Sequence, residues 1–406
     1  MIACRLVTDV NFSLQRSSWC VTAIGHDDTS KAIKLRAIRC WLTLKDNWWL
    51  LVRRIPPPLD SSINSASIQL SDDILQLMDR RISIGRREVK RGEPWFDDGN
   101  IVLITQDDPT AFRLHRGVLA RHSEVFNHLF ELPQTADSET ESFEGCQVVF
   151  IYDLPVELSN LFNAIYDTPT FSNKDAEGFF YLAGILRLST KYLVEQPCQS
   201  AIRYLTKTWS STLEGHDSMV EAALNSPPVN NLTYPFVHPI HVLNLAREVD
   251  INIVVPSALY FLSLYSLADI LGGDHPKLLI EHPSKPSSSL APSDVLLYSL
   301  MYQYRLQVLE DFIRDFCGKR STTPSCGSTD TCGKAFTRLV SQLRRSWSLR
   351  TGPLHFMLQA MNRVSADSSI CKRCCSDFVR DTTSLRQEVW DKLPIIVRLP
   401  PWDRIE

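Results

Sequence analysis

Long hydrophobic runs are missing from this sequence of 406 residues. A membrane-spanning helix needs about 18–20 consecutive apolar residues, and the longest candidate, residues 259–271, is interrupted by Ser263, Ser266 and Asp269. The first residues also lack the charged start and apolar block of a secretory signal. We therefore expect a protein of the cytoplasm, the nucleus or both, with no membrane partner.

Excess charge of one sign and catalytic motifs are scarce too. The formal net charge is −3, whereas a general nucleic-acid binder is strongly basic, so we expect no nucleic-acid partner. The motifs G-x-S-x-G and H-E-x-x-H, which mark common hydrolases and zinc proteases, do not occur. The sequence therefore predicts a protein that is not an enzyme and has no catalytic cofactor.

The clearest pattern in the sequence is an ordered set of strands and helices that begins near Trp95. Residues 101–104 form a continuous apolar run, as expected for a strand buried on both faces, and residues 107–109 (Asp-Asp-Pro) predict a turn. Residues 112–115 alternate between apolar and polar, which is typical of a second strand. Ser123 is a candidate N-cap for a helix with apolar residues at helical spacing.

The pattern continues through a third strand at residues 148–152 and three amphipathic helices up to Trp209. An acidic and polar insert, residues 133–145, predicts a surface loop before that strand. The order β-β-α-α-β-α-α-α resembles a BTB/POZ domain. The resemblance implies a protein-protein interaction module that is usually a homodimer and has no chemistry of its own.

The resemblance also implies where copies of the chain would meet. In BTB transcription factors, the Arg that follows a His at the end of the second strand lines a charged pocket at the centre of the dimer. Arg116, which follows His115, matches that Arg. The pocket's usual Asp aligns with Asn100, while Asp97 and Asp98 lie nearby as substitutes. The predicted dimer interface or pocket comprises Phe96, Asn100, Phe112, His115, Arg116, Leu119, Phe126 and Leu129.

Length and composition divide the chain into four segments. Hydrophobic residues make up 44% of the chain, which allows a sizeable core and two or three domains. We interpret residues 1–92 as an N-terminal extension, either without stable structure or acting as a basic arm that docks on a partner. The BTB/POZ domain is predicted at residues 93–212, a helical domain at 235–316 and a Cys-containing C-terminal region at 317–406. The predicted fold class is α+β.

The C-terminal region adds a second resemblance. A few spaced cysteines are followed by a C-x-x-C pair and a terminal pattern of Trp390, Leu393-Pro394, Leu399-Pro400 and Trp402. This layout resembles the C-terminal part of BTB proteins that are abundant in mushroom-forming (basidiomycete) fungi. This resemblance implies a fold and a type of interaction module, but it says little about the biological role.

Four of the eleven cysteines predict a metal site. Tetrahedral zinc needs four Cys or His ligands, and C-x-x-C supplies two of them. Cys371 and Cys374 form that pair, and Cys326 and Cys332 are candidates for the other two, with Cys317 and Cys375 as substitutes. Since a second C-x-x-C is missing, the alternative is a set of small, partly buried thiols that pack in the C-terminal region.

The leading functional hypothesis is a homodimerising scaffold or adaptor whose partners are itself and other proteins. One alternative is a substrate-receptor subunit of a cullin ubiquitin ligase. However, no Kelch-like repeat of about 50 residues is visible, and residues 171–178 lack a clear apolar-x-Glu signature. The other alternative is a dimeric nuclear transcriptional regulator, although two-Cys two-His zinc fingers are not found.

Overall fold

A mixed sheet of six strands begins the part of the protein described by this computed structural model, which covers residues 81–85, 87–131 and 142–405. The strands follow the order β1-β2-β4-β3-β6-β5 in the sheet. The β2–β4 and β3–β6 pairs are parallel, and the other pairs are antiparallel. The strand bounds are β1 Arg81–Ile84, β2 Arg87–Arg91, β3 Ile101–Thr105, β4 Thr110–Leu114, β5 Ser142–Phe143 and β6 Cys146–Ile151.

The central strand β3 explains the continuous apolar run in the sequence. Successive side chains of a strand point to opposite faces. Ile101 and Leu103 accordingly pack into a core beneath the helices, whereas Val102 and Ile104 join a second cluster with Ile84 on the other face. Since all four side chains are almost fully buried, the run belongs to a strand that is covered on both sides.

The sheet begins upstream of the predicted boundary at residue 93. Strands β1 and β2 form a hairpin, and Lys90 and Arg91 of β2 pair with Thr110 and Ala111 of β4. Residues 81–91, assigned from sequence to an N-terminal extension, are therefore part of the sheet. The apolar alternation in this segment is short and is masked by many charges. Residues 1–80, which make up the rest of the predicted extension, lie outside the described residues.

Thirteen α-helices follow or flank the sheet within the described residues. Those of the N-terminal part are α1 Arg116–His122, α2 Glu124–Glu131, α3 Pro155–Tyr166, α4 Ala176–Lys191 and α5 Glu195–Thr208. Those that follow are α6 Leu213–Asn225, α7 Pro239–Glu248, α8 Val255–Leu262, α9 Leu267–Gly272, α10 Pro292–Asp311, α11 Thr329–Ser346, α12 Pro353–Ala366 and α13 Lys372–Ile396. None of the helices in the described ranges is long and apolar enough to cross a membrane.

Helix α4 joins the sheet-containing part to the later helices. Leu188 of α4 packs in the core under the sheet. Phe180 and Leu186 of the same helix belong to a second core, which runs on to Val397. A helix with apolar side chains on two faces must pack against other elements on both faces. The predicted domains 93–212, 235–316 and 317–406 are therefore not separate cores, because residues from α4 through α13 share one.

The terminal Trp and Leu-Pro pattern has a packing role. The Trp390 and Trp402 rings stack with centroids 5.4 Å apart. The Trp402 indole N–H donates to the carbonyl oxygen of Trp390 at 3.0 Å, and the Trp390 indole N–H donates to the carbonyl of Ser211 at 2.9 Å. These bonds fasten the C-terminal helix to the segment that follows α5.

Candidate metal centre and dimer surface

The four cysteines predicted as metal ligands lie together. The sulfur atoms of Cys326, Cys332, Cys371 and Cys374 are all within 4.8 Å of one another. The Cys326 and Cys371 sulfurs are 3.7 Å apart. With Zn–S bonds of about 2.3 Å, the edge of a tetrahedral zinc site is about 3.8 Å. The sulfur positions therefore suit one small tetrahedral metal ion.

Two helix N-termini place three of these thiols. Cys332 lies in the first turn of α11, Cys371 is the N-cap of α13, and Cys374 lies in the first turn of α13. The partial positive charge at a helix N-terminus favours thiolate over thiol. Cys326 is on the loop before α11, and the Arg373 guanidinium holds this loop by donating to the Ser325 carbonyl at 3.1 Å.

Backbone N–H groups point at three of the sulfurs. The Cys374 N–H donates to Cys371 Sγ at 3.5 Å, and it lowers the pKa of the Cys371 thiol to about 7. The N–H of Cys371 donates to Cys332 Sγ at 3.3 Å, and that of Ser328 donates to Cys326 Sγ at 3.4 Å. Burial raises the pKa of Cys332. Hydrogen bonds to ligand sulfurs are the usual surroundings of a metal thiolate, so the four cysteines could bind a metal.

The residues predicted for the dimer interface fall into two groups, one in the core and one near the surface. Phe112, Leu119 and Phe126 are at most 1% exposed and pack in the core under the sheet. Their assignment to an intermolecular interface is therefore wrong for this structure. The same apolar spacing serves a core and an interface, so sequence alone could not separate them. Phe96 and Leu129 do reach the surface and are half-buried.

The predicted charged pocket is arranged differently from the expected Asp–Arg pair. The exposed Arg116 donates from its guanidinium to the carbonyl oxygen of Phe130 at 2.7 Å and lies over the Phe130 ring at 5.6 Å. Asn100 accepts the backbone N–H of Arg116 through Oδ1 at 2.8 Å, at the start of α1. His115 Nε2 lies 3.1 Å from Asp98 Oδ1. Arg116 therefore sits at the solvent edge, and Asn100 acts as a helix cap.

Six half-buried side chains pack against the core under the sheet from α1, from α2, from the end of α3 and from the segment before β3. We name this set the hairpin strip, and it comprises Phe96, Val118, Ala120, Val125, Leu129 and Tyr166. Val125 and Leu129 lie one turn apart on α2, a spacing that was visible in the sequence. Tyr166 was missed because only folding brings the end of α3 to this face, where its hydroxyl accepts the backbone N–H of His115 at 3.0 Å.

Comparison with known families agrees with this fold. The family model for the BTB/POZ domain matches residues 99–205, about a quarter of the chain. The chain therefore contains a BTB/POZ domain, a protein-interaction module whose family is not typically enzymatic. Its strands and flanking helices precede a helical region that carries the cysteine cluster near the C-terminus. No curated protein matches the chain.

Proposed function

We propose that this protein is a non-enzymatic scaffold that forms a homodimer through its BTB/POZ domain and presents its helical region to other proteins. The observation that supports dimerisation is the hairpin strip. Half-buried apolar side chains on neighbouring helices leave surface that a second copy would cover. In a two-fold dimer the same patch serves on both subunits, and a permanent interface is largely apolar.

The full chain is the appropriate material for testing dimerisation. The isolated segment 93–212 would expose buried residues in α4, in α5 and directly after α5, such as Phe180, Leu205 and Trp209, which share a core with the later helices. Such a fragment would associate through these newly exposed core residues. A dimer seen only in the fragment would therefore carry no information about the hairpin strip.

The experiment introduces a charge into the hairpin strip. Leu129→Glu should convert the dimer to a monomer in light scattering after size-exclusion chromatography, because a carboxylate buried in an apolar interface is costly. The matched control is Leu296→Glu on α10, where the native side chain is 48% exposed, and this variant should stay dimeric. Wild-type protein that is monomeric at tens of micromolar, or a dimeric Leu129→Glu, would contradict the proposal.

We also propose that the cysteine cluster binds one structural zinc ion. The sulfur separations, the helix N-termini and the N–H donors support this, and zinc would link the loop before α11 to the start of α13. The role would be structural, since four protein thiolates leave no coordination position open for a reactant.

The test of the zinc proposal uses two cysteines that lie four residues apart, Cys371 and Cys375. Cys371→Ser should lose most of the bound zinc and lower the melting temperature, because metal binding and folding are coupled. Cys375→Ser is the matched control, since the Cys375 sulfur lies outside the cluster and 3.8 Å from the Ser365 hydroxyl. Elemental analysis should find close to one zinc per chain in the wild type and the control. Chains that purify without zinc in the absence of chelator would contradict the proposal.

The partners belong to this proposal as well. We infer an intracellular scaffold of the cytoplasm, the nucleus or both, of the kind found in mushroom-forming fungi. Affinity purification of the tagged full chain with mass spectrometry would separate the forms of this proposal. A cullin among the strongest partners would favour the substrate-receptor form, chromatin factors would favour the nuclear regulator, and neither would favour the plain adaptor.

A further inference from the structure

A cleft of about 610 Å³ lies in the helical region, away from the cysteine cluster and the hairpin strip. Sites for small molecules are typically concave and mostly apolar, with volumes of about 300–1,000 Å³. Helices α6 and α8 and the segment before α7 supply most of its walls. Apolar and aromatic lining residues include Trp209, Met219, Val220, Tyr260, Phe261 and Leu264.

His216 of α6 belongs to the wall of this cleft, and its buried ring nitrogens have unused hydrogen-bonding capacity. The side chain is 2% exposed, and its ring lies 5.2–5.3 Å from the rings of Tyr260, Phe261 and Trp390. Neither ring nitrogen has a hydrogen-bond partner among the described residues. Burial lowers the pKa of His216 to about 3, so the neutral ring holds one donor and one acceptor in reserve. Unpaired polar atoms of this kind are costly to bury.

Lys277 gives the cleft a positive end. Its side chain is buried, and its ammonium donates to the Pro235 carbonyl at 2.6 Å, which uses one of three N–H groups. No carboxylate of the described ranges lies within ion-pair distance of it. Burial lowers the pKa of Lys277 to about 8, so it is still mostly protonated at neutral pH.

The remaining charged lining has the same sign. Arg350 also borders the cleft, and no Asp or Glu of the described part of the chain does. His275 lines the cleft as well, but burial lowers its pKa below 6.5, so its ring is mostly uncharged at neutral pH. Arg350 already pairs with Asp269 at 2.8 Å, which leaves Lys277 as the buried cation that lacks an acid. A carboxylate on a bound molecule would complete that pair by charge-assisted hydrogen bonds.

We propose that the cleft binds a small aromatic carboxylate, with its carboxylate at Lys277 and its ring between the side chains of α6 and α8. This site is independent of dimerisation and of zinc, because it uses neither the hairpin strip nor the four cysteines.

The first experiment compares two probes on the full-length native protein by isothermal titration calorimetry. The probe 2-naphthoate should bind at least about tenfold more tightly than the neutral 2-naphthalenemethanol of similar shape, as one charge-assisted hydrogen bond would give. Equal affinity for the two probes, or no heat from 2-naphthoate at millimolar concentration, would overturn the proposal.

Three variants then locate the site. Val220→Trp should block the cleft and abolish 2-naphthoate binding, whereas Val156→Trp, the same change at an exposed position of α3, should leave it unchanged. Lys277→Met should remove the preference for the carboxylate while keeping weak binding of the alcohol. Binding that survives Val220→Trp would place the probe elsewhere and refute the site. If Lys277→Met fails to fold, the comparison of Val220→Trp with Val156→Trp still tests the location of the site.

Discussion

The BTB/POZ domain and the helical region differ in whether their buried polar side chains have hydrogen-bond partners. Within the domain, buried polar side chains have partners: Ser123 Oγ donates to the Tyr192 carbonyl at 2.5 Å and accepts the N–H of Phe126 at 3.0 Å, and Glu157 is paired with Arg187. In the described chain, every buried side-chain N or O atom without a hydrogen-bond partner lies beyond residue 212, on His216, His241, Ser257, Ser284, Asp294, Arg305 and Thr382.

Among the described residues, the buried polar groups of the BTB/POZ domain are paired, whereas the helical region, which shares a core with the domain, contains unpaired ones. The family match covers the domain alone, and there the polar interior is closed within the chain. Beyond it, hydrogen-bonding capacity remains for a ligand, a partner or ordered water to satisfy. We expect perturbations to cost more in the helical region, and the following predictions are arranged to test that expectation.

Acid should have the largest effect, because three neutral histidines are buried in the helical region. Burial is the main cause that lowers the pKa of His216 and His238 to about 3 and that of His241 to about 4, from 6.5. A lowered folded-state pKa gives stability that is complete above pH 6.5 and is lost as pH falls toward the folded values. At pH 5 each histidine should cost about 2 kcal/mol.

Urea unfolding at pH 7 and pH 5 measures this loss. His216→Phe should reduce the difference between the two pH values, because one of the three protonation penalties is removed while the ring volume is kept. Comparing the variant with the wild type cancels any contribution from thiol protonation at the cysteine cluster. An acid sensitivity that is the same in both proteins would contradict the assignment of His216.

The second prediction concerns a buried arginine with no acid at ion-pair distance among the described residues. Arg305 on α10 is fully buried and donates to the Thr351 carbonyl at 2.8 Å and the Leu349 carbonyl at 2.6 Å. Arg305→Met would leave both carbonyls without that donor, so we expect a loss of about 2–3 kcal/mol in the free energy of unfolding. The exposed Arg344→Met is the control, and urea titration is the measurement. A loss of stability no larger than that of Arg344→Met would contradict the prediction that the buried Arg305 stabilises the helical region.

The corresponding change in the BTB/POZ domain should be smaller. Arg116 is exposed, so Arg116→Ala should cost only about 1 kcal/mol, through the lost hydrogen bond to the Phe130 carbonyl and the lost packing of its stem. The same urea titration makes the two arginines directly comparable. If Arg116→Ala cost as much as Arg305→Met, exposure would not explain the contrast between the two regions.

The smallest effect is expected at Asn100. Asn100→Asp keeps the oxygen that accepts the Arg116 N–H and adds negative charge at the N-terminus of α1, where it is favourable. We expect a change between zero and a few tenths of a kcal/mol toward greater stability, measured as a small rise in melting temperature. A clear destabilisation would mean that the Asn100 amide N–H₂ makes an interaction that the carboxylate cannot replace.

Local patterns were sufficient to predict part of the structure. The apolar run at residues 101–104 forms strand β3, Ser123 caps α2, and the four predicted cysteines lie together. Each of these depends on residue types at short spacing or on the few cysteines near one another in the chain. The BTB/POZ fold followed from the order of such elements.

Non-local pairing accounts for what was missed. Strand β2 is held by β4, about twenty residues later, so its charged sequence gave no local sign of a strand. Phe112, Leu119 and Phe126 were misplaced because burial against α3 could not be foreseen from their own segments. The cleft draws on residues from Trp209 to His355, and no sequence spacing predicts the space that their packing leaves open.

The order of the sheet also bears on how this protein avoids aggregation. Within the described residues the two outermost strands are β1, of four residues, and β5, of two. Arg81 and Ser83 of β1 are exposed, and Arg81 lies 3.8 Å from Glu88. Short or charged border strands are poor templates for the addition of another strand. High protein concentrations should therefore not favour open-ended polymers formed through the sheet.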